Sequence, residues 1–467
     1  MHNLLTDILA CPRCGADTAL GLNATAAECN NCQTRYFDLD GLPCWFPLGL
    51  KHKHYWKHLL AEFEEERAQL KTIFDYENQQ PNLLHTTKQR LEMQFKQRYG
   101  TYSRILDLLK KSGLSAKKSD QYKDFSTDML TQYFGVTLRD WAWHPLEDQT
   151  NNYRRYIDEN AGVLSNILST LADVNEFSQK KLLVIGSGAG RLSWDLHCEF
   201  NSNLTVALDF NPLLGLIAKQ LIHDKKTLHF EESRTFPRKG LPENHEWQLK
   251  CESDSDERRG TWQPICADAW ALPFARGSFD IIVTPWFMDI NGQDAKALIA
   301  QVEQTLKPGG YWINYGPFLY VDSLRESQRY TSDELRELLS LAKFDLLNED
   351  FFSEPYTHSP LSEKGRIDES WCFVARSAED QTHLLQNNND VKQVNSNNPP
   401  AWLVLPHLPI PALATQDNIP KEMANVARLI DGKRSLNEIT AILQNALPET
   451  IDPYDFMYQF LQEYVLR

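Results

Sequence analysis

The densest chemistry in this 467-residue chain begins at Lys181. Leu182-Leu183-Val184-Ile185 reads as an apolar strand. Gly186-Ser187-Gly188-Ala189-Gly190 follows it, and Arg191-Leu192-Ser193-Trp194-Asp195-Leu196 continues with helical spacing. A glycine-rich turn between strand and helix lets a ligand approach the backbone closely, beside the positive end of a helix. Nineteen residues beyond Gly190, the run Leu204-Thr205-Val206-Ala207-Leu208 ends in Asp209. A carboxylate there can accept both hydroxyl hydrogens of a ribose. A dinucleotide site would share these features. The glycines, however, follow a G-x-G-x-G pattern, and Arg191 and Leu192 stand where a dinucleotide fingerprint wants its third glycine.

A second constellation lies near the start of the chain. Cys11-Pro12-Arg13-Cys14 and Cys29-Asn30-Asn31-Cys32 are two CxxC knuckles with 14 residues between them. Four thiolates at this spacing can close a tetrahedral zinc site. The first 50 residues hold little core of their own and need such a staple. The expected ligands are Cys11, Cys14, Cys29 and Cys32; Cys44 is left outside the set.

Two further segments choose between ligands. Ala267-Asp268-Ala269-Trp270-Ala271-Leu272-Pro273-Phe274 precedes Gly277-Ser278-Phe279-Asp280-Ile281-Ile282-Val283, and Leu306-Lys307-Pro308-Gly309-Gly310-Tyr311-Trp312 closes a helix and opens a strand. In this order with the glycine loop they resemble the motifs of class I S-adenosylmethionine-dependent methyltransferases. That resemblance implies a doubly wound, Rossmann-like α/β sheet with S-adenosylmethionine as cofactor. It places Gly186, Gly188 and Gly190 at the cofactor, Asp209 at the ribose, and Asp268 with Ala269 at the adenine. Asp280 is expected to start a strand rather than touch ligand.

A narrower likeness appears at both edges of this region. Leu138-Arg139-Asp140-Trp141 is followed by Tyr153 and Tyr156; later come Val283-Thr284-Pro285-Trp286-Phe287-Met288-Asp289 and Trp312-Ile313-Asn314-Tyr315-Gly316-Pro317-Phe318-Leu319-Tyr320. These are similar to the R-D-W, T-x-F-F-I-D and W-I-N-x-G-P-L-L-Y segments of the carnosine N-methyltransferase family, which methylates an imidazole nitrogen of a histidine-containing dipeptide. The resemblance implies that Arg139 contacts the cofactor, its guanidinium fork suiting a methionine carboxylate. It implies that Asp289 faces the substrate and accepts an imidazole N–H, so that the other nitrogen attacks the methyl group. Tyr320 and Trp371 are the remaining substrate-side expectations. Where the family has a histidine after its L-L-Y segment, this chain has Val321 followed by Asp322, so carnosine itself is not taken as the acceptor.

The elements that must hold these groups fall into zones. Residues 1–50 form the ribbon, and residues 51–128, charged and poor in Gly and Pro, read as surface helices. From 129 to 376, short β-branched runs alternate with helical patterns, the signature of βαβ units, with a polar insertion at about 224–262. Residues 377–400 are a linker by composition, carrying Asn387-Asn388-Asn389 and Pro399-Pro400. Residues 401–467 read as a small helical domain. There Leu429-Ile430-Asp431-Gly432-Lys433-Arg434 leads into a capping box of Ser435 and Glu438. This segment resembles the PqqD-like peptide-binding family, implying a peptide or protein partner. The ribbon, with Leu9-Ala10-Cys11 and Asp40-Gly41-Leu42-Pro43, resembles the activator subunits that dock on methyltransferases. By that likeness it serves docking or stability and is separable from methyl transfer.

Composition narrows the function. The net charge of −15 repels phosphate backbones and argues against nucleic acid as partner. No run approaches the 18 or more apolar residues of a membrane span, and the first residues do not read as a signal peptide. Nine cysteines with four in CxxC pairs suit a reducing cytoplasm and a metal site. The leading reading is N-methylation of a small-molecule or peptide nitrogen. Two others stay open: an RNA methyltransferase, since zinc ribbons also precede such domains, and a non-catalytic S-adenosylmethionine-binding scaffold.

Overall fold

In the computed structural model the described residues are 3–16, 20–23, 26–47, 49–117, 128–142, 158–233, 244–251, 256–290, 294–321, 324–356, 366–379, 423–431, 434, 436–444, 446–448, 451, 453, 456–457 and 460–461. Tyr153, Tyr156, Asp322, Ser435 and the Asn-rich part of the linker lie outside them.

The chain opens with α1 (Asn3–Thr6), the hairpin β1 (Leu20–Asn23) and β2 (Ala26–Cys29), and the hairpin β3 (Phe37–Leu39) and β4 (Leu42–Trp45). Four helices follow: α2 (Leu50–Asn78), α3 (His85–Lys111), α4 (Asp128–Trp141) and α5 (Glu159–Thr170). The alternating region then runs β5 (Lys181–Ile185), α6 (Arg191–Glu199), β6 (Leu204–Asp209), α7 (Pro212–Ile222), β7 (Leu228–Ser233), β8 (Asn244–Leu249), α8 (Asp256–Thr261) and β9 (Trp262–Ala267). It continues with β10 (Phe279–Pro285), α9 (Ala295–Thr305), β11 (Leu306–Gly316), α10 (Ser332–Leu341), β12 (Phe344–Tyr356) and β13 (Arg366–Ser377). Two short helices, α11 (Ala424–Ala427) and α12 (Leu436–Gln444), come last.

Nine strands form one sheet in the order β12-β13-β11-β10-β5-β6-β9-β4-β3. From β11 to β4 every neighbouring pair is parallel, and the pairs β11–β13, β12–β13 and β3–β4 are antiparallel. The winding reverses between β5 and β10, which makes the carboxyl ends of these strands the place for a ligand. This is the doubly wound, Rossmann-like α/β sheet that the motifs implied. Its central strands are continuous apolar runs because both faces are covered. In β5, Leu182 and Val184 join a cluster with Val163, Ile167 and Leu196, while Leu183 and Ile185 face Phe279, Leu298 and Trp312 on the other side.

The polar insertion folds as the antiparallel pair β7–β8, separate from the main sheet. Its Phe230 packs on Tyr133 of α4 at 5.6 Å between ring centroids. Helices α2 and α3 add Trp56, Leu59, Phe63, Ile105 and Leu109 to the same core. Around α11 and α12, Val426, Ala427, Ile430, Ile439, Leu443 and Met457 form a small core of their own. Among the described residues no helix is long and apolar enough to cross a membrane.

The ribbon is built into the sheet rather than appended to it. Strand β4 runs parallel to β9, with Cys44 opposite Cys266 and Trp45 opposite Ala267. Leu42 is fully buried, and α7 approaches so closely that a Cβ on Gly215 would lie 2.9 Å from Leu42 Cδ2. Upstream, Ala10 N–H donates to Pro273 O at 3.0 Å and Ala275 N–H donates to Ile8 O at 2.9 Å. The reason is shared core: Leu39, Leu42 and Phe46 fall into one apolar cluster with Leu213, Leu214 and Ile217 of α7. Leu42→Ala is therefore expected to lower the urea-unfolding free energy of the whole chain by about 2–5 kcal/mol. A loss below about 0.5 kcal/mol would mean that this contact holds nothing.

Candidate cofactor and acceptor site

The glycine loop joins β5 to α6, and all three glycines have positive φ: 76° at Gly186, 58° at Gly188 and 91° at Gly190. Space as well as conformation demands them. A Cβ on Gly186 would lie 2.9 Å from the Phe287 ring, and one on Gly188 would lie 2.8 Å from Val136 and 3.1 Å from Asp140 Oδ2. The loop's amides are spent within the protein. Gly186 and Ser187 donate to Leu208 O, Gly188 donates to Asp209 Oδ2 at 2.8 Å, and Ala189 donates to Asp140 Oδ2 at 2.8 Å. A dinucleotide site instead aims such amides at a pyrophosphate. Here two carboxylates hold them.

Asp209 ends β6, and its second oxygen accepts Asn211 N–H at 2.9 Å. Burial pushes its pKa up to about 6 against the opposing pull of these amide bonds. Asp268 follows β9 directly and accepts Trp270 N–H at 2.9 Å; burial raises its pKa also. Ala269 beside it is buried. Asp209 and Cys266 are cross-strand partners, so the two carboxylates expected at ribose and adenine stand at the ends of adjacent strands. Arg139, in the last turn of α4, donates from Nε and Nη2 to Asp140 Oδ1 at 3.1 and 3.0 Å. Its guanidinium lies over the Trp286 ring at 4.4 Å and 3.6 Å from where a Gly188 Cβ would sit. Arg139 and Asp209 thus stand at the glycine loop itself, while Asp268 stands at the end of the strand next to that of Asp209.

On the acceptor side, Asp289 follows β10 at the same edge and is 1% exposed. Its Oδ2 accepts Leu319 N–H at 2.9 Å, its backbone carbonyl accepts Val321 N–H at 3.2 Å, and its Oδ1 has no hydrogen-bond partner among the described residues. Burial pushes this carboxyl up to about 6. Tyr320 stacks on Phe318 at 6.1 Å and commits its hydroxyl to Tyr330 O at 2.8 Å. Trp371 is fully enclosed: its Nε1 donates to Glu349 at 2.8 Å and its ring packs on Phe373 and Phe318. The structure therefore sets Trp371 in the core, one ring behind Tyr320. Asp280 holds Lys181 N–H and the Lys307 ammonium at the start of its strand.

In the ribbon, the ligand atoms of Cys11, Cys14, Cys29 and Cys32 all lie within 4.8 Å of one another. The Cys11–Cys32 and Cys14–Cys29 sulfur separations are each 3.6 Å. The edge of a tetrahedral zinc–thiolate site with bonds of about 2.3 Å is about 3.8 Å, so the four sulfurs fit the ion. The Tyr36 hydroxyl stands 2.9 Å from Cys11 Sγ, a donor for a thiolate.

The carnosine N-methyltransferase family model matches residues 245–378. Carnosine N-methyltransferase of Schizosaccharomyces pombe (strain 972) is 23% identical over 203 residues, which cover 39% of this chain and 49% of that protein. Residues 245–378 thus resemble the carnosine N-methyltransferase family. The match spans about half the length of that curated relative. Among solved structures, the chain is similar to an S-adenosylmethionine-dependent methyltransferase from Methanosarcina mazei, with a TM-score of 0.33, 16% identity, and coverage of 46% of this chain and 98% of the other. Phosphoethanolamine N-methyltransferase 2 of Haemonchus contortus gives 0.34 and 15%, covering 55% and 61%.

The family segment contains Asp268, Asp289, Tyr320 and Trp371; the loop and Arg139 precede it. Two residues with evident structural duties were given none from the sequence. Asp140 takes Arg139, Asn160 and Ala189 N–H together, and the neighbouring Trp141 Nε1 donates to Ala189 O at 2.8 Å. The R-D-W motif is thus a clamp on both backbone groups of Ala189. Its sequence signal is the motif itself, Arg139-Asp140-Trp141. Trp286 holds φ 46°, a strained value for a large side chain, with its N–H donating to Tyr315 O at 2.6 Å. Asp140→Ala would leave Arg139 buried without its carboxylate. Urea unfolding should then lose about 3–5 kcal/mol; a loss under about 1 kcal/mol would show that the clamp is dispensable.

Proposed function

We propose that this chain is an S-adenosylmethionine-dependent N-methyltransferase whose acceptor is a small-molecule or peptide nitrogen of the imidazole type. The observation that carries the reading is Asp289, a buried carboxylate with one oxygen unpartnered among the described residues, at the carboxyl edge beside the glycine loop. A buried acceptor oxygen is costly unless something fills its hydrogen bond, and an azole N–H suits it. Accepting that proton's hydrogen bond raises electron density on the other ring nitrogen and aims it at the methyl group.

The loop chemistry supports the choice of donor. Carboxylates of Asp140 and Asp209 occupy the amides that a phosphate would need, and they favour a cationic ligand. Arg139 would hold the methionine carboxylate, Asp209 the ribose, and Asp268 with Ala269 the adenine. S-adenosylmethionine supplies an already activated methyl group on a sulfonium, so the chain's own work is positioning. Val321 makes the pocket apolar where the family's histidine would stand, so carnosine should be turned over poorly. Zinc on Cys11, Cys14, Cys29 and Cys32 fits the sulfur spacing. The C-terminal helices would present a peptide or protein partner.

Calorimetry with S-adenosylmethionine, its demethylated product and NAD tests the cofactor. Both adenosyl ligands should bind and NAD should not, and Asp209→Ala should weaken binding by about 1–3 kcal/mol. Preference for NAD would sink the reading. The acceptor is tested by radiolabelled methyl transfer to carnosine, histidine, histidine-containing peptides and ribosomal RNA at saturating cofactor. The acceptor-binding form of Asp289 is the carboxylate, present above its raised pKa of about 6. Activity should therefore rise with pH through about 6 and be lost in Asp289→Ala. Strong labelling of RNA, or full activity in that variant, would overturn the assignment.

A further inference from the structure

The carboxyl edge of the sheet does not stop at the strands that carry the cofactor motifs. In the order β5, β6, β9, β4 the strand ends are Ile185, Asp209, Ala267 and Trp45, and all four strands are parallel. Trp45 and Phe46 of the ribbon therefore lie on the same edge as Asp209 and Asp268, one strand further out. A ribose on Asp209 with its base reaching Asp268 puts the purine across the ends of β6 and β9. The residue after Asp209 is Phe210, which is 39% exposed. Its other side is backed by the ribbon: Phe46 meets Phe210 edge-on at 5.4 Å, and Trp56 of α2 stands at 6.3 Å. Cys266 Sγ donates to Phe210 O at 3.2 Å, fixing its backbone from β9.

The loop from Asp268 to Phe274 is held by the ribbon at both ends. Ala267 pairs with Trp45 at its start, and Pro273 to Ala275 pair with Ile8 to Ala10 at its finish. These two arms belong to different parts of the ribbon. The Ile8–Ala10 arm runs directly into Cys11, and the Trp45 arm leaves Cys32 through Tyr36 into β3 and β4. The four-cysteine cluster is where they are joined.

We propose that the ribbon is the outer wall of the adenosine pocket, with Phe46 as a positioning residue for Phe210, and that metal on the four cysteines sets the affinity for the adenosyl cofactor. The inference rests on the S-adenosylmethionine reading above. A metal that joins the arms keeps the Asp268–Phe274 loop and Phe210 in place before the ligand arrives, so binding need not order them. Its loss frees both at once.

The test is calorimetric binding of S-adenosylhomocysteine to the full chain as purified, after metal removal with a thiol-compatible chelator, and after zinc is restored, with metal content measured each time. About one zinc per chain is expected in the first and third samples. Removal should weaken binding at least about ten-fold, and zinc should restore it. Phe46→Leu, which keeps an apolar side chain and the metal but loses the ring edge, should weaken binding about three- to ten-fold in a chain that still folds and still holds its zinc, both checked by melting and metal analysis. Should the stripped chain unfold, Phe46→Leu decides alone. Equal affinity in Phe46→Leu and in the native chain, or a folded stripped chain that binds as well as the loaded one, would overturn the proposal. Failure of the native zinc-loaded chain to bind at all would instead defeat the cofactor reading beneath it.

Discussion

The carboxylate of Asp140 is the point on which the rest of the site depends. It lies at the end of α4, 49 residues before the backbone amide that it receives, and it is almost fully buried. A charge taken out of water is tolerated only when its lone pairs are filled. Here they are filled by a guanidinium, an asparagine amide and the loop's own N–H. The arrangement turns one desolvated charge into a rule about geometry: helix α4, helix α5 through Asn160, and the turn after β5 must all arrive together. The loop needs such a rule, because three residues of positive φ in five give it little conformational preference of its own.

The same clamp decides what kind of ligand the loop can welcome. Amides at the head of a helix are usually the attraction for phosphate. Once they are given to carboxylates, the opening keeps its closeness to the backbone but reverses its electrostatic taste. Arg139, the guanidinium proposed for the methionine carboxylate, is stacked against Trp286 so that it cannot wander. Strain at Trp286 is consistent with this duty: its left-handed backbone turns the indole under the guanidinium instead of along the strand.

Much of this was legible in the sequence, for identifiable reasons. The strands β5, β6 and β10 announce themselves because sheets covered on both faces need unbroken apolar runs. Asp209 stands out as an acidic residue directly after such a run, whereas Asp268 is legible only through the likeness of its segment to methyltransferase motifs. The four cysteines are legible from spacing alone, since knuckles bring their thiols together locally. The partnership of Asp140 with Ala189 was not legible, because a motif shows which residues recur together but not which distant amide they hold. Nor was the attachment of the ribbon. Leu42-Pro43-Cys44-Trp45 is four residues long and contains a proline, and nothing in it names β9 as its parallel partner. The strain at Trp286 leaves no trace in composition at all.

The pairing of β4 with β9 also settles how the sheet ends. Without it, the last strand on that side would be β9, six residues with Trp262, Ile265 and Cys266 buried and the backbone groups around Cys266 and Ala267 uncovered. Such a border invites another chain to add itself by hydrogen bonding. As the protein stands, the border is β3, three residues long and closed by the Asp40-Gly41 turn, with Asp38 accepting Gly41 N–H. A strand that short, with Asp38 at its middle and Asp40 just beyond it, is a poor template. The ribbon thus keeps the sheet from growing, and a chain trimmed to the residues after it would carry an adhesive rim.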